Sequence, residues 1–158
     1  MRPGSTSSEA RRSPTPPAVA TDCVFCRIVR GEIPSVKLYE DSEVVAFMDI
    51  SPIVKGHALV IPKAHYDPLT AMPAALLGRV MSVVQRVAAA QAAALRADGV
   101  NLFQANGAAA GQVVPHVHFH VIPRFNNDGH RWNWTSGRYD RTEDMDAMAA
   151  RIRAQITG

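Results

Sequence analysis

Three histidines at alternate positions, His116, His118 and His120, constrain the fold of this chain more than any other feature. The residues around them are β-branched or aromatic, which predicts a β-strand over Val114–Ile122. Because successive side chains of a strand point to opposite faces, the three imidazoles are expected on one face. Imidazoles are poor core material, since their nitrogens need hydrogen-bond partners. The pattern therefore predicts a face that meets an anion, a metal or a reacting group. The alternative is the polar outer face of an edge strand.

The pattern of apolar residues predicts an α+β domain on an antiparallel five-stranded sheet. Apolar runs bounded by turn residues predict four further strands, at Val36–Tyr39, Val44–Met48, His57–Pro62 and Val100–Ala105. Helical spacing of apolar residues predicts one long helix, with Pro73 in its first turn and Gly99 at its C′ position. A short helix after Cys23 ends at Gly31, and a similar pattern over Met145–Ile156 predicts a C-terminal helix. We expect one domain over residues 22–158.

Composition and charge exclude several classes of protein. The 47% apolar and 20% charged fractions are typical of a soluble globular protein. Residues 1–21 are rich in Ser, Thr, Pro and Arg, which predicts a disordered tail. The formal net charge is only +3, and the sequence shows no cluster of basic residues of the kind that a nucleic-acid surface needs. We also expect no membrane partner, because no apolar run suits a transmembrane helix or a signal peptide. The two neighbouring cysteines favour a reducing, cytoplasmic setting over a disulfide framework.

The residues before and within the histidine triplet suit chemistry at phosphorus. A neutral imidazole on a rigid strand is a competent nucleophile, and flanking imidazoles can stabilise an anion. The preceding segment, Asn106-Gly-Ala-Ala-Ala-Gly111-Gln112, offers amide donors for phosphate oxygens and glycines for close backbone approach. It matches neither the Walker nor the Rossmann pattern, and Asn-Gly alone is equally typical of a turn. Next to the triplet, the segment favours phosphate binding.

The Cys23-Val-Phe-Cys26 pair predicts a metal site. Two thiolates at this spacing can chelate one zinc ion, and His65 with one histidine of the triplet can complete a tetrahedral set. A redox pair is the first alternative, but a redox motif should follow a strand and open a long helix, whereas this motif opens the domain. Two idle buried thiols are the second alternative.

The residues that carry these patterns resemble the histidine triad (HIT) family, in the branch of bacterial HIT proteins and Hint nucleoside phosphoramidases. His116-Val-His118-Phe-His120-Val-Ile122 is similar to the family signature. The likeness covers about residues 22–125 and includes the segments Cys23-Val-Phe-Cys26-Arg-Ile, Gly31-Glu-Ile-Pro34, Tyr39-Glu-Asp41, Ala46-Phe-Met-Asp49-Ile-Ser-Pro52 and Gly56-His-Ala-Leu-Val-Ile-Pro-Lys63. The resemblance implies a homodimeric α+β fold and action at the α-phosphate of nucleotides that bear a leaving group.

The resemblance also implies a role for each site residue. His118 would attack phosphorus, and water would hydrolyse the nucleotidyl-histidine intermediate. Phosphate contact or support of the nucleophile would come from His57, His120, Asn106, Gly111 and Gln112. Asp49 would hold the ribose hydroxyls of a purine nucleotide. The base would lie among Phe25, Ile28, Phe47 and Ile50. Structural zinc would bind to Cys23, Cys26, His65 and His116.

Two departures from the family pattern leave the substrate open. Val113 stands where a Ser or Thr near the leaving group is common, and Trp132 and Trp134 match no Hint pattern. Two aromatic rings that stack on a second base would favour dinucleoside polyphosphates over nucleoside phosphoramidates. We therefore expect a nucleotide hydrolase or nucleotidyl transferase that acts on one of these classes. The alternatives are a dinucleoside polyphosphate phosphorylase and a zinc-stabilised nucleotide-binding or scaffolding protein with little turnover.

Overall fold

The computed structural model describes residues 22–131 and 135–156. The predicted tail at residues 1–21, and the predicted stacking residues Trp132 and Trp134, lie outside the described residues. The chain divides into two units, residues 1–128 and residues 129–158. The first unit contains α1 (Val24–Val29), β1 (Lys37–Glu40), β2 (Val44–Met48), β3 (Ala58–Pro62), α2 (Ala74–Leu95), β4 (Gly99–Phe103) and β5 (Phe119–Arg124). The second unit contains α3 (Thr142–Arg153).

The sheet of the first unit is antiparallel and five-stranded, in the order β1-β2-β3-β5-β4, which confirms the predicted α+β class. Both of its faces are buried along β2 and β3. One face packs against α2 through the side chains of Val44, Ala46, Ala58 and Val60. The other face packs against α1 through Val45, Phe47, Leu59 and Ile61. Burial on both faces explains why these strands are continuous apolar runs.

The fifth strand begins later than predicted. β5 starts at Phe119, so His116 and His118 lie in irregular backbone before it, and the prediction of a strand from Val114 was wrong there. Pro115 has no N–H to donate to a ladder. The His116 N–H donates to the carbonyl of Val114 at 2.9 Å, which makes a local turn.

Smaller boundary differences occur elsewhere. β4 ends at Phe103 rather than at residue 105, and α2 ends at Leu95, so that Gly99 opens β4 instead of following the helix. Arg96 takes the left-handed conformation (φ 55°) that glycine usually supplies after a helix, which is why a glycine-based prediction missed this end. Pro73 is the N-cap, one residue before the first helical turn.

α3 confirms the predicted C-terminal helix. Its larger apolar side chains, Met145, Met148 and Ile152, are exposed. Within the part of the chain that the structure describes, no helix combines the length and the apolar character that crossing a bilayer requires.

Candidate active site and metal centre

Four predicted metal ligands meet where α1 faces the segment before β5. The ligand atoms of Cys23, Cys26, His65 and His116 all lie within 4.8 Å of one another. The His116 Nδ1 lies 3.4 Å from Cys23 Sγ and 3.6 Å from Cys26 Sγ, and the His65 Nδ1 lies 3.4 Å from Cys26 Sγ. A tetrahedral zinc ion would hold sulfur and nitrogen ligands about 3.6 Å apart. The donor set and its spacing therefore fit a metal ion of the zinc type.

His116 is oriented for coordination rather than for catalysis. It is fully buried, and its Nε2–H donates to the carbonyl of Pro62 at 2.9 Å. This hydrogen bond places the lone pair on Nδ1, the nitrogen that faces both thiols. Burial lowers the pKa of His116 to about 4, which keeps the imidazole neutral, as a metal ligand must be.

His118 presents a free nitrogen in a buried setting. Its Nδ1–H donates to the carbonyl of His116 at 2.6 Å, which leaves the lone pair on Nε2. The ring is 5% exposed and packs edge-on against Phe25, with the ring centroids 5.1 Å apart. Contacts on both sides hold its orientation, since the His120 centroid lies 4.9 Å away. An imidazole with a fixed orientation and an available lone pair is suited to nucleophilic attack.

A second imidazole pair stands beside His118. The backbone N–H of Ile53 donates to His57 Nδ1 at 3.2 Å, so the proton of His57 is on Nε2. That Nε2–H donates to His120 Nδ1 at 2.8 Å. His120 must then carry its own proton on Nε2. The chain of bonds thus leaves a proton donor, Nε2–H, on the His120 ring, whose centroid lies 4.9 Å from that of His118.

Both supporting histidines favour the neutral form. Burial is the main reason that the pKa of His120 is lowered to about 4, and nearby His118 and His57 contribute to the same shift. Burial also lowers the pKa of His57, against a smaller opposing effect of the Asp49 carboxylate. Neutral imidazoles at neutral pH are what nucleophilic catalysis by histidine requires.

The residues expected around the nucleoside are divided between surface and core. Asp49 is half-buried, and its Oδ2 lies 3.6 Å from His57 Nδ1, beyond hydrogen-bond distance. Its Oδ1 accepts from the N–H of Ser51 at 2.8 Å. Ile50 is 98% exposed. The other three predicted base contacts are buried in the cluster on the α1 face: Phe25, Ile28 and Phe47.

The predicted phosphate loop is held by its own amide side chains. Gln112 Oε1 accepts from the N–H of Gly107, and Gln112 Nε2 donates to Asp67 Oδ1 at 2.9 Å. Asn106 Oδ1 accepts from the N–H of Leu69 at 2.8 Å, and Asn106 Nδ2 donates to Gln104. In this structure both side chains therefore brace the loop. Gly111, at the end of the loop, has a left-handed backbone (φ +87°).

Sequence reasoning missed residues that act on the site through the backbone or through a second side chain. Ile53 and Pro62 contribute only an N–H and a carbonyl, so their side chains carry no signal of the role. Asp67 lies two residues after His65, and a charged residue so close to a predicted ligand was the one available signal. Val113 is 90% exposed, so its side chain is open to solvent beside the loop.

Comparison with known proteins agrees with this geometry. The family model of the HIT domain matches residues 30–127. A crystal structure of a HIT family protein from Bacillus anthracis is similar, with a TM-score of 0.82 and 39% identity over 87% of this chain and 99% of that one. A Zn-bound histidine triad family protein from Mycobacterium smegmatis has a TM-score of 0.64 and 38% identity, over 85% of this chain and 98% of that one.

A relative with a named activity covers a similar part of the chain. The adenosine 5'-monophosphoramidase hnt1 of Schizosaccharomyces pombe is 38% identical over 135 residues, which are 85% of this chain and 98% of the relative. Since the family model spans more than half of the chain and includes all three histidines of the triplet, the chain belongs to the histidine triad (HIT) family.

Proposed function

We propose that this protein is a nucleotide hydrolase that acts at the α-phosphate of a nucleotide through His118. The observation that carries the proposal is the hydrogen bond from His118 Nδ1 to the carbonyl of His116, because it leaves the buried Nε2 as a nucleophile. Nε2 would attack phosphorus and form a phosphorus–nitrogen bond, while the bond from phosphorus to the leaving group breaks. Water would then cleave that bond, release the nucleoside monophosphate and regenerate the imidazole.

The neighbouring imidazoles supply what His118 lacks. His120 Nε2–H would donate to a phosphoryl oxygen or to the departing group, whose negative charge grows as the bond breaks. The His57 Nε2–H bond to His120 Nδ1 keeps that donor in the required tautomer. Asp49 would hold ribose hydroxyls, and Ile50 would cover one side of a purine base. Asn106 and Gln112 would shape the loop that receives the phosphate.

Nucleoside phosphoramidates are the substrate class that a comparison supports most directly, because a relative that aligns over 85% of the chain is named adenosine 5'-monophosphoramidase. Dinucleoside polyphosphates are the second class, because Val113 offers no hydroxyl to a leaving group at the position where the family commonly has a Ser or Thr. A phosphorylase would differ only in its acceptor, phosphate instead of water, and would yield a nucleoside diphosphate.

We also propose that Cys23, Cys26, His65 and His116 hold a structural zinc ion. The short contacts among their donor atoms and the orientation of His116 by Pro62 support this assignment. Bound zinc would fix α1 to the segment that carries His118. No vacant coordination position is needed for this role, because the four side chains form a complete tetrahedral set.

The chain is further proposed to form a homodimer. β4 is an edge strand of the sheet, and Leu102 on it is 52% exposed. An edge strand with an exposed apolar side chain is a surface for pairing with a second strand. Antiparallel pairing of β4 with the same strand of a second copy would satisfy both edges.

The decisive experiment is intact-mass measurement during turnover of adenosine 5'-phosphoramidate, quenched without strong acid. Wild-type protein is expected to carry a transient nucleotidyl adduct and to release AMP. His118→Ala is expected to show neither, while the control His130→Ala, a histidine of the second unit, behaves as wild type. Saturable nucleotide binding without an adduct or AMP would contradict hydrolysis through His118 and favour the non-catalytic binding protein.

A further inference from the structure

One buried polar side chain has no part in the site described above. Gln91 lies on α2, 5% exposed, on the same helix face as the core residues Val80, Val84 and Val87. This helix packs on the face of the sheet opposite α1 and the histidines. Gln91 Nε2 donates to the carbonyls of Gly56 and Val121, both at 2.9 Å.

The orientation of this amide is fixed by its surroundings. Both near neighbours are carbonyl oxygens, so only the NH₂ group can face them. The Oε1 of Gln91 is then buried without a hydrogen-bond partner among the described residues. An apolar side chain of equal length would remove the unpaired acceptor, but it would also leave the buried carbonyls of Gly56 and Val121 without this donor. The contribution of the glutamine therefore lies in its two contacts with these backbones.

The two carbonyls belong to the neighbours of the two supporting histidines. Gly56 directly precedes His57, and Val121 directly follows His120. The ladder between β3 and β5 ends at the pair Ala58↔Val121, so His57 lies one residue beyond the last paired residue. The Gln91 amide ties the Gly56 backbone, which lies beyond the ladder between β3 and β5, to Val121 in the last pair of that ladder.

Close packing reinforces the bridge. Gly56 has a positive φ of +100°, and a Cβ atom there would lie 2.6 Å from Leu95 Cδ1 and 2.9 Å from Pro123 Cγ. The backbone before His57 is thus pressed against the end of α2 and against β5. Any side chain at position 56 would push these elements apart.

We propose that Gln91 is a positioning residue for the reaction: its amide fixes the spacing of the backbones that carry His57 and His120, and so maintains their hydrogen bond. This inference rests on the proposed function, because the bond matters for catalysis only if His120 donates to the substrate. Gln91 itself touches no substrate. A displacement of catalytic groups by about 1 Å can reduce a rate by about 100-fold, so the loss of a backbone clamp is expected to be visible in kcat.

The test replaces the amide and keeps the volume. Gln91→Met is the main variant, Gln91→Leu is the second, and Val84→Ala is the control, since it removes buried methyl groups from the same helix face without touching the bridge. The measurements are thermal unfolding, kcat and KM with adenosine 5'-phosphoramidate, and the ¹⁵N chemical shifts of the His57 and His120 ring nitrogens.

For Gln91→Met we expect a lower Tm, because the carbonyls of Gly56 and Val121 lose their donor. We also expect a kcat lower by about 10- to 100-fold and little change in KM. The shifts of His57 Nε2 and His120 Nδ1 should move towards those of imidazoles that exchange tautomers. Val84→Ala should have a lower Tm because of its cavity, with wild-type kcat and shifts.

Unmoved ring-nitrogen shifts in both Gln91 variants would overturn the proposal, whatever the activity. The proposal would also be overturned if kcat fell in the Gln91 variants and in Val84→Ala alike, in proportion to the loss of Tm. Such a result would show a general effect of lost stability. If wild-type protein does not hydrolyse the phosphoramidate but the shifts still move in Gln91→Met, the clamp stands and the proposed substrate or function fails.

Discussion

His57 and His120 share a hydrogen bond of 2.8 Å, between Nε2 and Nδ1, although 63 positions separate them in the sequence. The N–H of Ile53 occupies the remaining nitrogen of His57, so the direction of this bond is fixed. His57 thereby determines which nitrogen of His120 carries the proton. His57, which the substrate need not touch, therefore controls the proposed proton donor beside the proposed nucleophile, His118.

This relationship predicts different outcomes for two substitutions of His57. His57→Phe removes the donor to His120 Nδ1, so His120 is free to adopt the other tautomer, and kcat should fall by about 100-fold or more. His57→Gln keeps an NH₂ donor at a similar reach and should retain more activity than His57→Phe. Steady-state kinetics with adenosine 5'-phosphoramidate measures both variants. Equal losses in the two variants would contradict a donor role for His57.

The supporting histidines also predict the pH dependence of activity. Burial lowers the pKa of His120 to about 4, so His120 should not titrate between pH 5.5 and pH 8, and burial also shifts the pKa of His57 below its usual value. Titration of His120 should therefore contribute no acid limb near the usual histidine pKa of about 6.5 to a profile of kcat/KM against pH. A clear half-maximum at that pH, lost in His120→Asn, would show that His120 does titrate there.

The same shift predicts the pH dependence of stability. Between about pH 6.5 and pH 4, His120 binds a proton in the unfolded chain but not in the folded one. The free energy of unfolding should therefore be highest above pH 6.5 and should decrease as the pH falls through this window. Tm measured from pH 8 to pH 4 should fall less steeply for His120→Asn than for wild type. Parallel curves would indicate that the pKa of His120 is not lowered by folding.

The proposed zinc site predicts a metal content and a stability effect. Elemental analysis should find one zinc ion per chain in wild type and much less in Cys26→Ser, while the control His130→Ala keeps its metal. Because a metal that binds only the folded state stabilises it, chelation should lower Tm and added zinc should restore it. A metal-free wild-type protein whose Tm does not respond to zinc would contradict a structural metal site.

The hydrogen bond between Gln112 and Asp67 predicts that a substitution of Asp67 which keeps the acceptor also keeps the function of the predicted phosphate loop. Asp67→Ala removes the acceptor for Gln112 Nε2 and should raise KM by up to about tenfold, the equivalent of one hydrogen bond. Asp67→Asn keeps an Oδ1 acceptor and should have a KM near that of wild type. A large effect of Asp67→Asn would mean that the charge, rather than the hydrogen bond, is what matters.

The two edges of the sheet provide a matched test of the homodimer. Leu102→Lys places a charge on the exposed side of β4, and Leu38→Lys does so on β1, where Leu38 is 49% exposed. Light scattering should give the mass of two chains for wild type and for Leu38→Lys, but of one chain for Leu102→Lys. A wild-type monomer, or a dimer that is lost only in Leu38→Lys, would contradict pairing through β4.

Local rules were sufficient for most elements. β2 matches its predicted bounds, Val44–Met48, because its apolar run is bounded by turn residues on both sides. The start of β5 was predicted wrongly, since alternation of side chains continues through His116 and His118 while Pro115 and a local turn interrupt the ladder. The end of α2 was missed because Arg96 adopts a conformation for which its side chain gives no signal.

For the site, the sequence determined which chemistry is available: a row of imidazoles, two thiols and a loop of small residues, all within short motifs. Only the tertiary structure decided which nitrogen of each imidazole carries the proton and which carries the lone pair. That choice depends on Pro62, the His116 carbonyl and Ile53, which are backbone groups brought close by folding. The same holds for Gln91, whose role has no signal in the sequence and appears only when the fold places two carbonyls beside it. A sequence pattern specifies side chains, but backbone hydrogen bonds between distant segments exist only after the chain has folded.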